Sequence, residues 1–491
     1  MTMSKRLNKR REFIKQTSLA AAGFFIVPRH VIGKGYTAPS DKLNLAAIGA
    51  GGKGNSDIMN AFNKGKNNLV AFADVDWNSA KNVIEKFPNA AKYHDFREML
   101  DKSGKEIDAV TISTPDHFHA YAAMACMQLG KHVYVQKPLT HNIAEARMLT
   151  EAARKYKVVT QMGNHGSSNP LQQTAVDWFD KGLIGTVHTA NIWTNRPVWP
   201  QGIPVPTEKP ALPASMTSKE WDTWIGPADF VDYHPLYHPF KWRGWWNFGT
   251  GALGDIGCHT IDSPFRILGL GYPTDVECSV GAVFIKDWNP EYIPEGCPPS
   301  SHVEIRFPAT KKNKSPLKMI WMDGGIRPMH PDLIPANEPI SNDGGQNGII
   351  LHGTKGLMTI GMYGNDPKIY LNNGEKIELP KAPANRPNVE ALPEYGHQMF
   401  WTEACKAGFN SKQHKELTSS FDYSGPLTET VLMGNLAIRS YMLRKKDSRD
   451  RWDFYGRVKL KWDGANMKVT NFDDANQFVT RNYRSGWEIK G

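Results

Sequence analysis

Apolar positions in the first third of the chain follow two alternating periods. Solid apolar runs at residues 43–48, 69–73, 109–112, 132–135 and 158–161 predict strands buried on both faces. Between them, residues 79–87, 95–102, 117–129 and 143–156 place apolar side chains at helical spacing. Strands that alternate with helices form a parallel sheet covered on both sides, with ligands beyond the carboxyl ends of its strands. From about Pro170 the texture changes. A helix at 171–181 is followed by strand candidates at 186–194, 276–284, 302–307, 317–322, 349–353 and 358–361, then by helices at 394–406 and 427–442. Proline-rich loops separate these strands, and an antiparallel or mixed sheet is the simplest assembly.

The turn out of the first strand carries Gly49, Gly51 and Gly54. This spacing allows a tight turn at Gly49, approach of a pyrophosphate at Gly51 and close helix packing at Gly54, with the helix N-terminus facing negative charge. The second strand ends in Asp74, about twenty residues on, where a carboxylate accepts from a ribose 2′-OH and repels a 2′-phosphate. NAD is therefore the expected cofactor, in preference to NADP. The expected fold is α/β. It comprises an N-terminal Rossmann doubly wound parallel sheet over residues 41–165 and a C-terminal α/β domain with a large mixed or antiparallel sheet over 166–445. Residues 446–491 are expected as a tail packed on the body.

A chain of 491 residues exceeds one ordinary core, in keeping with two domains. Its formal charge of +10 is concentrated at the start, where residues 1–40 hold eight Lys or Arg against the single acid Glu12. The remainder carries little net charge and offers no electrostatic case for nucleic acid. Lys9, Arg10, Arg11 and Lys15 precede an apolar run at 17–27 that is too short to span a bilayer. This segment resembles a twin-arginine export signal. The resemblance implies that residues 1–40 are an address, that the folded protein reaches the periplasm with cofactor bound, and that no stable membrane anchor remains. The five cysteines lack C-x-x-C spacing, which predicts free thiols and no disulfide framework.

Chemistry concentrates after the strands at 109–112 and 132–135 and in one later helix. Thr114, Pro115 and His119 follow one strand, and Gln136, Lys137 and Pro138 follow the next. Asp255 and His259 stand four residues apart, so one helix face presents both. With these three motifs the chain resembles the Gfo/Idh/MocA family, which includes glucose-fructose oxidoreductase and inositol dehydrogenase. The family carries T-P-x-x-x-H, E-K-P and a paired Asp and His at these places. Gln136 departs from it by removing a negative charge beside Lys137, and so changes the electrostatic surroundings of that amine.

Oxidising a secondary alcohol requires a base for the O–H proton while the C–H hydride leaves, and imidazole suits that task near neutral pH. His259 is read as that base. Asp255 is read as orienting the ring or contacting a sugar hydroxyl, and Lys137 as stabilising charge on the reacting oxygen. Gly49, Gly51, Gly54, Asp74, Thr114, Pro115, His119, Lys137 and Asn164 are the expected cofactor contacts. Trp242, Arg243, Trp246 and Asn247 suit a carbohydrate, since aromatic faces stack on sugar C–H faces while Arg and Asn reach hydroxyls. His234 and His238 have ligand-like spacing, but Pro235 interrupts a helix there, and no metal is expected. The expected activity is NAD-dependent oxidation of a ring hydroxyl of a sugar or glycoside, with a 3-keto sugar as the product the resemblance implies. Redox-assisted glycoside elimination and a non-catalytic sugar- or cofactor-binding protein are the alternatives. A homo-oligomer, dimer or tetramer, is expected from the same resemblance.

Overall fold

Apolar runs flanked by glycine and polar turns build a wholly parallel six-stranded sheet in the order β3-β2-β1-β4-β5-β6. The computed structural model describes residues 41–375, 377 and 391–489, and the expected export segment at 1–40 lies outside the described residues. The strands are β1 (Asn44–Ile48), β2 (Asn68–Ala73), β3 (Ala91–Tyr93), β4 (Ala109–Ile112), β5 (His132–Val135) and β6 (Thr160–Met162). The first five helices are α1 (Lys53–Phe62), α2 (Lys81–Lys86), α3 (Phe96–Ser103), α4 (Asp116–Gln128) and α5 (Ile143–Tyr156). All four residues of β4 are buried, as are Val133, Tyr134 and Val135 of β5, which is the two-sided burial their solid apolar runs require. Asp95 and Asn142 cap α3 and α5 by accepting from backbone N–H groups of the first turn. The short β3 has no apolar run to announce it. It is a three-residue edge that pairs only with β2.

After α6 (Pro170–Asp180) the chain enters a nine-stranded mixed sheet. Its centre is β7 (Val187–Trp193), parallel to β12 (Leu317–Met322) and antiparallel to β13 (Gly348–Gly353). Beyond β13 lie β14 (Gly356–Ile360) and β15 (Lys368–Leu371). Beyond β12 lie β11 (Ser301–Phe307) and β8 (Asp275–Val280). The strand expected over 276–284 is two strands. After β8 the chain breaks at Gly281, and β9 (Val283–Lys286) pairs instead with β10 (Asn289–Glu291) in a separate hairpin. Residues of the tail extend the large sheet, with β16 (Leu460–Asp463) on β8 and β17 (Lys468–Val469) at the edge.

Helices connect and cover the sheets. A capping box of Thr217 and Glu220 starts α7 (Ser218–Ile225), and α8 (Gly251–Thr260) runs into α9 (Asp262–Leu268). Further along, α10 (His397–Ala407) returns to the N-terminal sheet and packs on α1 and β5. The last long helix, α11 (Phe421–Tyr441), begins six residues before the expected start at 427 and runs through Gly425 and Pro426. Packing overrides these breakers. A side chain at 425 would overlap the Thr150 hydroxyl of α5, so glycine lets the two helices approach. Because α11 touches α5, α8, β8 and β11, it ties one sheet to the other. Among the described residues no helix is long and apolar enough to cross a membrane.

Candidate active site

A cavity of about 840 Å³ runs from the glycine turn after β1 to the helix that carries Asp255 and His259. Gly49 has φ of +82°, and a Cβ there would lie 2.7 Å from the Ser113 carbonyl oxygen. Only glycine meets both demands. A Cβ at Gly54 would overlap the Gly49 carbonyl oxygen, the close helix-on-strand contact expected of the third glycine. At Gly51 the crowding atom is Ser79 Cβ, 2.7 Å away, so the missing side chain also serves packing against the β2–α2 connection. Gly49, Gly51, Gly52, Thr114 and Pro115 line the cavity, leaving backbone at the mouth of α1 facing it.

Asp74 braces this cradle. Its Oδ2 accepts from Ala50 N at 2.8 Å and Gly51 N at 3.1 Å, and its Oδ1 accepts from Asp76 N at 2.9 Å. Burial raises its pKa above the ordinary carboxylate value, against those three donors. A carboxylate has about four lone-pair positions, so one remains for a ribose hydroxyl. The second carboxylate of Asp76 lies next to it, held by Asn78 N and Ser79 Oγ. The cradle thus fits a dinucleotide, and its acidic edge opposes a 2′-phosphate.

The opposite end holds Lys137, Asp255 and His259. Lys137 Nζ donates to Asp255 Oδ1 at 2.8 Å and to the Asp255 carbonyl, while Arg243 Nε donates to the same Oδ1 at 3.3 Å. Burial opposes ionisation of Asp255, but the two cations outweigh it and hold its pKa below the usual value. Asp255 makes no hydrogen bond to the His259 ring. Of its two expected roles, orienting that ring is therefore not the one its bonds serve, since Lys137 and Arg243 take the carboxylate. Burial, then Lys137 and His165, push the His259 pKa well below 6.5, so the ring is neutral at pH 7. Its buried Nδ1 has no hydrogen-bond partner. Tyr363 meets the His259 ring edge-on at 4.7 Å and stacks on His165, also at 4.7 Å.

The charge absent at Gln136 reappears on another element. Gln136 Nε2 donates to Asp57 Oδ2 at 2.8 Å, and the fully buried Asp57 also accepts from Ser113 Oγ, Lys53 Nζ and Gln398 Nε2. A Glu at 136 would face this carboxylate. Lys53 reaches onward to Glu394 Oε1 at 2.6 Å, and both line the cavity. Asp116 lines it too. Burial raises its pKa to about 7, although the Thr250 hydroxyl donates to it.

Several expected contacts lie elsewhere. Asn164 is fully buried behind the cavity, bonded to Asp262 and Ser419, and its neighbour His165 takes the lining position. His119 is a staple, with Nδ1 2.8 Å from the Pro138 carbonyl and Nε2 2.9 Å from the Thr114 carbonyl, so it positions the two motif turns without facing a cofactor. Trp242 and Arg243 line the cavity, with the guanidinium carbon 4.2 Å from the Trp242 ring centre. Trp246 instead faces His141 and Arg439 at a separate small pocket. Asn247 ties down the loop by bonding the backbone of Asp229 in both directions. His238 lines the cavity, and no cluster of three metal-ligating side chains occurs among the described residues.

A dinucleotide cradle that opens through one cavity onto a Lys, Asp and His cluster defines a two-domain nucleotide-dependent fold of redox type. Residues 43–164 match the model described as oxidoreductase family, NAD-binding Rossmann fold, and residues 204–284 match that described as oxidoreductase family, C-terminal alpha/beta domain. These two regions carry domains of this family, Gfo/Idh/MocA, and the N-terminal sheet is an NAD-binding Rossmann domain. Levoglucosan dehydrogenase of Pseudarthrobacter phenanthrenivorans is 24% identical over 198 residues, which cover 40% of this chain and 40% of that protein. Myo-inositol 2-dehydrogenase of Thermotoga maritima is 26% identical over 132 residues, 27% of this chain and 39% of that one. The chain spans about two fifths of the length of these curated relatives. An inositol dehydrogenase homolog of Azotobacter vinelandii, solved with NADH and myo-inositol, shares the fold. Its TM-score is 0.54 at 14% identity, over 86% of this chain and 98% of that chain.

Proposed function

We propose that this protein is an NAD-dependent oxidoreductase acting on a ring hydroxyl of a sugar or glycoside. The observation that carries the reading is the neutral His259 beside the Lys137–Asp255 pair, in the same cavity as the glycine cradle. Bound NAD supplies the hydride acceptor. Gly49, Gly51, Thr114 and Pro115 hold the cofactor, and Asp74 takes a ribose hydroxyl. The imidazole of His259 takes the proton of the reacting hydroxyl, because its low pKa leaves it unprotonated at neutral pH. Lys137 donates a hydrogen bond to the same oxygen and stabilises the charge that develops as the proton leaves. Asp255 fixes the Lys137 ammonium at 2.8 Å. Trp242 and Phe240 form an apolar wall suited to the C–H face of a pyranose. Named relatives that act on levoglucosan and inositol support a polyol or sugar substrate.

The test is to incubate purified protein with NAD and a panel of sugars and aryl glycosides while following absorbance at 340 nm and release of aglycone. Accumulating NADH with a keto-sugar product is the expected result. Aglycone without NADH overturns it in favour of redox elimination, and a cofactor-bound protein inert to the whole panel favours a binding role. Lys9 to Lys15 and the apolar run after them support export by the twin-arginine route. Replacing Arg10 and Arg11 by Lys should then retain the protein in the cytoplasmic fraction.

A further inference from the structure

Four cationic Lys and Arg side chains line the cavity: Lys53, Lys137, Arg196 and Arg243. Three have carboxylate partners. Lys53 pairs with Asp57 and Glu394, while Lys137 and Arg243 share Asp255. Arg196 has none within ion-pairing distance among the described residues, and its guanidinium Nη1 bonds only the neutral amide oxygen of Asn195, at 2.6 Å. Its backbone is anchored just past β7, where Arg196 N donates to Thr194 Oγ1 and its carbonyl accepts from Gly324. The guanidinium lies close enough to Tyr363 for its charge to oppose the effect of burial on that phenol. Arg196 and Tyr363 both line the cavity, and the Tyr363 ring packs on His259, where the hydroxyl is proposed to react. The phosphate cradle is formed elsewhere, by residues 49–54 and 113–115.

A half-buried guanidinium that loses water when a substrate fills the cavity is compensated best by an anion, since neutral hydroxyls replace its hydration but leave its charge unbalanced. The geometry points to a substrate that carries a carboxylate. We infer that this enzyme acts on a sugar acid of uronate type, whose carboxylate is held by Arg196 while a ring hydroxyl rests on Lys137 and His259. A guanidinium fork matches a planar carboxylate through two parallel hydrogen bonds. One unpaired cation balances one negative charge, whereas a phosphate ester would bring nearly two and find no second free cation among the described residues. This inference rests on the proposed orientation of substrate over His259, but it is tested by binding as well as by turnover.

The experiment uses the NAD-loaded full chain and isothermal titration with methyl glucuronide and methyl galacturonide beside the corresponding neutral methyl glycosides. At least one uronide should bind at least about tenfold tighter than its neutral counterpart. Arg196→Gln should weaken that uronide about 100-fold while changing neutral glycosides and NAD little, the loss expected when a buried charge pair is broken. Arg196→Lys should recover part of the loss, because it keeps the charge without the fork. Equal affinity for charged and neutral sugars, binding of neither, or a Gln variant that loses NAD instead of the uronide each overturns the inference. NADH formation in the same mixtures separates the two readings. A uronide that binds through Arg196 yet gives no NADH leaves the carboxylate site standing and sinks the dehydrogenase, and a neutral glycoside that is turned over with Arg196 irrelevant does the reverse.

Discussion

At the nucleotide end of the cavity, residues 49–54, 74 and 113–115 offer turns, strand ends and backbone N–H groups. At the opposite end, Lys137, Arg196, Arg243, Asp255, His259 and Tyr363 offer charged and aromatic side chains from distant parts of the chain, and Lys53 reaches from the cradle to Glu394. The first region works by shape. Its tolerances are set by overlaps such as that of a Cβ at Gly54 with the Gly49 carbonyl. The second works by charge balance, with Asp255 shared between two cations and Asp57 shared among four donors. Substitutions should therefore fail differently at the two ends: by loss of cofactor and stability at one, and by loss of turnover with cofactor retained at the other.

The largest expected separation comes from His259→Ala and Lys137→Ala. Each should lower kcat by about 10³-fold, the range of a lost acid–base or electrostatic group. NAD affinity should stay within about threefold, because neither side chain builds the cradle. Intrinsic fluorescence titration with NADH beside steady-state rates on the best substrate checks both halves. Parallel losses of binding and rate would erase the distinction between the two ends. Next in size is Gly54→Ala, which forces a side chain into backbone and should cost about 3 kcal/mol, at the upper end for overpacking. A fall in the urea midpoint and in cofactor affinity together, without a specific effect on kcat of the cofactor-saturated enzyme, is the outcome that fits.

The same contrast explains what could be read from the chain in advance. The cradle was visible because its parts are close in sequence: an apolar run, glycines at fixed spacing and an acid at the next strand end. Lys137, Asp255 and His259 were visible through spacing and resemblance. Arg196, Tyr363 and Glu394 stand singly, and the exit from β7, the turn after β14 and the return of residues 394–407 to the first domain bring them to the cavity. Adjacency also misled. Trp242 and Trp246 stand in one aromatic run, yet a 3₁₀ turn over Lys241–Gly244 followed by extended Trp245 sends them to different pockets. His119 matched its motif, but both ring nitrogens face backbone carbonyls, and the neutral ring donates its one N–H to one of them. The break between β8 and β9, and the course of α11 through Pro426, were decided by partners across the fold.

A swap of charge sharpens the account of the second region. Gln136→Glu would set a carboxylate against Asp57 Oδ2, now 2.8 Å from the Gln136 amide nitrogen, and should destabilise the protein by about 2 kcal/mol. Asp57→Asn alone removes the anion that three neutral or cationic side chains besides Gln136 share, and should also destabilise. Combined, the two substitutions return a carboxylate and an amide to contact with their places exchanged. The double variant should be more stable than the sum of the single effects by about 2 kcal/mol. Denaturant midpoints of the four proteins measure this coupling, and strict additivity would mean that Asp57 does not answer the charge missing at 136.

The smallest effect tests whether charge burial reaches the junction of the two regions, where Asp116 opens α4 directly after the Thr114–Pro115 turn. Burial raises its pKa to about 7, so between about pH 4 and pH 7 the native state holds a proton that the unfolded chain, with an Asp pKa near 3.9, has already released. The folded form therefore binds more protons, and stability must fall as pH rises through that window. With a folded pKa of about 7, the part of the fall between pH 6 and pH 8 is about 1.4 kcal/mol. Asp116→Asn removes the titration while keeping an acceptor for Thr250. The stability of the variant relative to wild type should rise by that amount from pH 6 to pH 8, rise more steeply between pH 5 and pH 6, and level off above pH 8. A difference independent of pH would show that Asp116 is already ionised at pH 6, held so by Lys137 and Arg243, and that the charge-balanced region extends one turn further toward the cofactor than the cradle geometry implies.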